Sequence, residues 1–304
     1  MARNAVKAKL DIIFKKIFTD KNNEDLLTDF IAYMIDIPVK SIKEIVIQNT
    51  EILPLYSENK FSILDLKMKV NDKIVNVELQ IKEEVDFRDR ALFYWSKLYS
   101  GELKSGEDYG NIPETISINI LNFNLFDCKE YQSSFTMMEK TRHEVLTEKC
   151  KIHFFELKKI NKKVNKKDRK SLWLQFINAE EEEEFQMLEK TEIPIMKKAI
   201  MVIKEMSADE KLQEMARMRE KTLHDEASAI VFAKRKGLEE GMQKGMEKGM
   251  EKGMEKGMEK GIEKGMVEEK IKICKQMLKH GLPINDISKI TGLSLEEINK
   301  LDIK

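Results

Sequence analysis

Apolar residues along the first half of the chain recur at two periods. Leu26, Leu27, Phe30, Ile31 and Met34 follow the three-and-four spacing of an amphipathic helix, which predicts a helix from Glu24 to Ile35 that Pro38 ends. Asp11 is a candidate N-cap for a shorter helix reaching Phe18, and Ile42 to Ile47 reads as a strand. The period then changes to two. Residues 62–70 and 73–82 alternate, with Leu64, Leu66, Met68 and Val70 on one face and Val75, Val77, Leu79 and Ile81 on one face of the next strand. Asn71-Asp72 is turn chemistry, and a hairpin closed there pairs Val70 with Lys73 and sets Asp65 opposite Glu78. A slip of one residue would turn an apolar face to water, so the register is well specified. The opposite faces carry Asp65, Lys67 and Lys69 on one strand and Asn76, Glu78, Gln80 and Lys82 on the other. Helical spacing returns from Phe87 to Leu103, with Ala91, Leu92, Trp95, Leu98 and Tyr99, and a strand from Ile116 to Phe123 follows. Phe135 to Leu157 is expected to add peripheral strands. Helices, three strands, a helix and a strand in this order predict an α/β fold.

The second half is organised differently. Residues 158–170 hold eight cations against one acid, a pattern that fits either a phosphate-binding loop or a solvated linker offset by Glu180 to Glu184. Pro194 to Lys236 has helical apolar spacing and predicts a helical pair. Glycine then recurs at every fourth position from Gly237 to Gly265, with Met-Glu-Lys or a close variant between, a low-complexity repeat readable as a helical rod or spacer. A four-residue period overshoots the helical turn by about 40°, so the Gly and Met stripes spiral around the axis. Ile284 to Ile298 has the look of a helix-turn-helix, but Glu296 and Glu297 stand where a recognition helix carries donors and cations. A packing or oligomerising tail is therefore the expected role.

Charged residues make up 36% of 304 and balance to zero, which excludes a global basic field; any nucleic-acid contact must come from local patches. Cys128, Cys150 and Cys274 are odd in number and widely spaced, which points to a reducing compartment and away from structural zinc. No stretch of about 18 apolar residues occurs, so a soluble cytoplasmic protein with no membrane partner is expected.

Composition leaves the hairpin as the best candidate for chemistry. Like charges opposed across a ladder destabilise each other, so Asp65 and Glu78 call for a cation or a shared proton. Two carboxylates with a nearby backbone carbonyl suit Mg²⁺ or Mn²⁺ better than zinc, and Lys67 and Lys82 on the same face could stabilise charge on a phosphate. An ordinary solvated sheet face has the same spacing, and both readings stay open on spacing alone.

A series of motifs adds to this. Asp11-Ile12-Ile13-Phe14-Lys15-Lys16-Ile17-Phe18, then Ile63-Leu64-Asp65, then Asn76-Val77-Glu78-Leu79-Gln80, then Phe87-Arg88-Asp89-Arg90-Ala91-Leu92-Phe93-Tyr94-Trp95 resembles the Rpn family of recombination-promoting nucleases and transposases, within the PD-(D/E)XK superfamily. The likeness runs on through Gly106, Tyr109 and Ile116 to Leu121 and, more loosely, over the glycine-repeat tail. The resemblance implies a restriction-endonuclease-like αβββαβ core with a helical C-terminal extension and a long Gly-repeat helix. It also implies metal-dependent DNA cleavage linked to recombination or transposition. Asp65 matches the metal-binding aspartate, Glu78 the acidic residue of the (D/E)XK motif and Gln80 the position of its lysine. Leu64 stands in place of the motif's proline. The missing charge would then come from Lys82 or Lys67, and Glu24 could add a carboxylate. The expected catalytic set is Asp65, Glu78, Gln80 and Lys82, with Mg²⁺ or Mn²⁺ on Asp65 and Glu78. DNA, and a second copy bound through the repeat, are the expected partners. The expected layout is a core over 1–157, a basic and helical extension over 158–236, the repeat over 237–266 and a helical tail over 267–304. The alternative is a catalytically inactive nuclease fold acting through oligomerisation or partner binding.

Overall fold

The computed structural model describes residues 6–48, 51–52, 62–63, 65–103 and 105–301. Leu64, which stands in the proline's place, lies outside them. The chain divides into two compact units, Met1–Ala227 and Ser228–Lys304.

The first unit opens with helices α1 (Asp11–Thr19) and α2 (Glu24–Met34). Leu10, not Asp11, is the N-cap of α1, because the Asp11 carboxylate is engaged in the tertiary contact described below. Helix α2 stops ahead of Pro38, with Asp36 at φ 57° turning the chain. Strands β1 (Ile45–Gln48), β2 (Glu51–Ile52), β3 (Ser62–Ile63), β4 (Leu66–Val70) and β5 (Lys73–Gln80) follow, then α3 (Phe87–Gly101), β6 (Thr115–Leu121), β7 (Gln132–Met138) and β8 (Val145–Glu156). Six of these strands make one sheet in the order β1-β4-β5-β6-β8-β7, while β2 and β3 pair with each other. The β4–β5 register, Val70 with Lys73 through Leu66 with Val77, is the one that the alternation predicts. Beyond β5 the sheet turns parallel, β6 beside β5 and β8 beside β6.

The expectation of peripheral strands over Phe135 to Leu157 needs correction, since β8 lies inside the sheet and, of the two strands there, β7 alone forms an edge, with β1 at the other. The second half of β8 runs Cys150, Ile152, Phe154 on one face and Phe155 on the other, all buried, as befits a strand covered on both sides. One cover is made by α1, α2 and the later helices α4 (Arg169–Asn178), α5 (Glu182–Glu189) and α6 (Pro194–Ala208). Its centre is aromatic: Phe18 stacks on Phe30 at 4.7 Å between centroids, and Trp173 lies edge-on to Phe30 at 5.7 Å. Trp173 donates its indole N–H to Asp29 at 2.8 Å, and Arg169 pairs with the same carboxylate at 3.0 Å, which ties α4 to α2. The other cover is α3, whose Phe87, Ala91 and Trp95 pack on Leu121, Ile152 and Phe154. Under it the polar face of β5, readable from sequence as solvated, is buried: Asn76 is 0% and Glu78 5% exposed. The residues from 158 to 227 belong to this same unit, because their helices complete its larger apolar core.

Helix α7 (Glu210–Lys279) begins in the first unit and runs through the whole glycine repeat. The second unit ends in α8 (Ile284–Thr291) and α9 (Leu295–Asn299), with Cys274, Ile287 and Ile298 as its buried centre. Gly292 joins the two short helices at φ 71°, a conformation that favours glycine. Among the described residues, no helix is long and apolar enough to cross a membrane.

Candidate active site

The hairpin is held in register from outside as well as by its own ladder. Asn71 turns it at φ 53°, accepts the Lys43 N–H at 2.9 Å and donates to the Ser41 carbonyl at 2.9 Å, which anchors the turn to the segment leading into β1. Asp65 sits just ahead of β4, and its Oδ2 accepts the Leu79 N–H at 2.8 Å, which carries the register one step past the strand and brings the carboxylate beside Glu78. Lys15, from α1, reaches within 3.4 Å of the other oxygen, Oδ1.

Glu78 is flanked across the parallel ladder by Asn119, and its Oε1 is buried without a hydrogen-bond partner. Burial and, second, the charge of Asp65 push its pKa up to about 8, against the opposite pull of Arg90 and Lys15. Asp65 is raised as well, because burial outweighs the Leu79 N–H and Lys15. Two carboxyl groups are thus held together, short of compensating charge and with one buried oxygen that has no hydrogen-bond partner.

Gln80, two residues along the same face, donates from Nε2 to the Lys82 carbonyl at 2.9 Å and to Glu84 at 3.1 Å. Glu84 also pairs with Arg90, so Gln80, Glu84 and Arg90 form a connected polar chain whose cation is felt electrostatically by Glu78. Lys82 is bonded to Glu226 of α7, and Lys67 pairs with Glu102 at 3.2 Å. Glu24 heads α2 on the surface, beside a recess lined by Phe18, Leu27 and Ile45. The early carboxylate felt at the site is Asp11, which raises Asp65 and is itself clamped at 2.8 and 2.9 Å by both arms of Arg219 from α7. Sequence reasoning passed over Lys15, Arg90, Asp11 and Arg219. Three of the four stand within the motif series, but nothing in local spacing shows that α1 and α3 converge on one end of β5.

Among the described residues, no three His, Cys, Asp or Glu side chains gather to hold a metal. Two carboxylates do meet the modest demand of Mg²⁺, which keeps waters and commonly takes one or two carboxylates plus substrate phosphates. The unpartnered Glu78 oxygen fits such a cation.

The sequence profile of the PD-(D/E)XK nuclease family transposases matches residues 8–233, a span that holds the sheet, both of its covers and the carboxylate pair. The chain belongs to this family. Membership makes it nuclease-related and transposase-like, and a second profile, the C-terminal helix-turn-helix domain of Rpn/YhgA-like nucleases, matches residues 267–302. The tail of this PD-(D/E)XK family protein therefore has the helix-turn-helix form. Glu297, one of the two acids at the start of the second short helix, is engaged locally: it accepts from the Ser294 N–H and hydroxyl at 2.8 Å and closes the capping box of α9. No curated protein and no solved structure matches the chain significantly.

Proposed function

We propose that the protein is a divalent-cation-dependent DNA endonuclease, linked to recombination or transposition, with an αβββαβ catalytic core and its active site at Asp65 and Glu78. The observation that carries this reading is the buried Glu78 carboxyl, without a partner on Oε1 and set beside Asp65, in a chain of this family. Asp65 and Glu78 would hold Mg²⁺ or Mn²⁺, which when bound supplies polarisation of a phosphoryl oxygen and a lowered pKa for water. The residues of the chain itself do the rest. Leu79 fixes Asp65 through its N–H, Gln80 orients a water or phosphate oxygen, and Lys15 and Arg90 offset negative charge as it develops. Lys15, 3.4 Å from Asp65, takes the part that the motif gives to a lysine, with Arg90 as a more distant cation already paired with Glu84; Lys82 is engaged with Glu226.

The test is nicking of plasmid DNA by the purified chain with Mg²⁺ or Mn²⁺. Parent protein should nick, and Asp65→Asn and Glu78→Gln should each lose at least about 100-fold, in line with the loss of a group that acts on the transition state. Equal nicking by parent and variants would remove the site assignment. A catalytically silent protein is the second reading, favoured by the absence of a lysine at position 80; it predicts no metal-dependent nicking by the parent. The helix-turn-helix tail is proposed to contact DNA as well, and the repeat to associate with a second copy.

A further inference from the structure

The basic run has no part in the site above, yet it leaves the sheet beside it. Parallel pairing sets Gln80, Leu121 and Glu156 level in β5, β6 and β8, so the run starts at the carboxyl end of β8, about two strand spacings or 10 Å from Gln80. Ligands of parallel sheets bind outside that end of the strands.

The run is built as two turns of the same kind. Asn161-Lys162-Lys163-Val164 is followed by Asn165-Lys166-Lys167-Asp168, and in each the asparagine side chain accepts the N–H of the second lysine, from Lys163 at 2.9 Å and from Lys167 at 3.1 Å. Ile160 and Val164 pack on the main core, and Asp168 accepts the Ser171 N–H at 3.0 Å to cap α4. Pinned turns of this sort are not a solvated linker.

Four of the eight cations are engaged inside the unit: Lys159 with Glu156 at 2.8 Å, Lys162 with Glu184 at 3.4 Å, Arg169 with Asp29 and Lys170 with Asp36. Lys158, Lys163, Lys166 and Lys167 are exposed and make no ion pair among the described residues. Most of the acidic run downstream is committed elsewhere. Glu180 binds Lys7 and Lys9, Glu182 lies 3.7 Å from Lys204, and Glu184 spends one oxygen on the N–H groups of Glu180 and Glu181. Glu192, which feels Lys166, is already bound to Lys197. A recess of about 530 Å³ at the turns is lined by Lys159, Lys163, Lys166, Tyr131, Asp168 and Ser171; Lys159 is paired with Glu156 and Asp168 takes the Tyr131 hydroxyl and the Ser171 N–H, which leaves Lys163 and Lys166 as its unpaired cations.

We infer that the paired Asn-Lys-Lys turns are a second DNA contact, gripping backbone phosphates of the duplex that the Asp65–Glu78 end of the sheet engages. The choice of DNA as the polyanion rests on the nuclease reading. The contact carries no base information; it sets register and affinity.

The test uses the full chain carrying Lys163→Gln, Lys166→Gln and Lys167→Gln together, with binding to a labelled DNA duplex measured by fluorescence anisotropy over a salt series in EDTA. Each lost phosphate contact lowers the slope of log K against log salt by about 0.9, so the triple variant should show a slope shallower by about 2 to 3 and at least a ~10-fold weaker Kd at low salt. A control removes the same charge from the repeat, as Lys248→Gln, Lys252→Gln and Lys256→Gln, and should bind like the parent. An unchanged slope in the first variant, an equal loss in the control, or a parent that binds single-stranded RNA but not duplex DNA would each overturn the inference. Because EDTA removes cleavage from the readout, the two readings separate. A parent that never nicks but whose triple variant loses duplex binding defeats the nuclease reading alone, and a nicking parent whose triple variant binds normally defeats the turns alone.

Discussion

Replacing Glu78 with glutamine isolates what burial does to this carboxyl. In the unfolded chain the group titrates near 4.5, and in the folded chain near 8. Between those values the folded protein keeps a proton that the unfolded chain has released, so stability falls as pH rises. The contribution is fully present below the unfolded value and lost on passing through the folded one. A displacement of this size corresponds to on the order of 5 kcal/mol, at about 1.4 kcal/mol per pH unit, for a group only 5% exposed. Glutamine keeps the shape and has no proton to release. The variant should therefore match the parent to within about 1 kcal/mol near pH 5 and exceed it by about 2 to 4 kcal/mol near pH 9. Urea unfolding followed by tryptophan emission reads the relevant unit, since both tryptophans, Trp95 and Trp173, are buried in Met1–Ala227. Saturating Mn²⁺ should stabilise the parent by about 2 to 3 kcal/mol at a hundredfold excess over Kd, and should do far less for the variant. A parent-to-variant difference that is the same at both pH values would refute the reasoning, because a desolvated, titrating Glu78 cannot behave so.

Other outcomes follow from single contacts. Lys15→Gln removes the cation 3.4 Å from Asp65 and should slow metal-dependent nicking by about 10-fold or more, whereas Lys82→Gln, taken from a pair with Glu226, should lose less than about 3-fold. Trp173→Phe deletes a fully buried indole and leaves the Asp29 carboxylate without one of its donors; urea unfolding should register a loss of about 2 to 4 kcal/mol. Gly292→Ala forces a side chain into φ 71° and should cost about 1 kcal/mol, seen as roughly 5-fold faster hydrogen exchange in α8 and α9. A chain ending at Lys236 should run as a smaller assembly than the full chain on size exclusion with light scattering; an unchanged oligomeric state would end the idea that the repeat joins copies.

Alternation, turn residues and helical spacing by themselves determined the early helices, the β4–β5 hairpin with its register and the position of Asp65 next to Glu78, but not the separate β2–β3 pair or helices α4 and α5. These are near-neighbour properties, set by backbone periods of two and 3.6 and by the conformation that Asn71 accepts. The helical repeat and the Gly292 turn were legible for the same reason. Only the tertiary structure decided what covers each face. A polar stripe of Asn76, Glu78 and Gln80 has the same spacing whether water or α3 lies over it, yet it is burial, ahead of the Asp65 charge, that raises the Glu78 pKa most. The interior place of β8 was hidden likewise, since strand order depends on which partners a segment finds and not on its own pattern. The charges around the carboxylates come from α1, α3 and α7, and Arg219 reaches Asp11 across 208 residues of sequence. Chain separation of that size leaves no local signal. Two carboxylates can be read from a hairpin, but the dielectric and the cations that give them chemistry come from elements folded onto it.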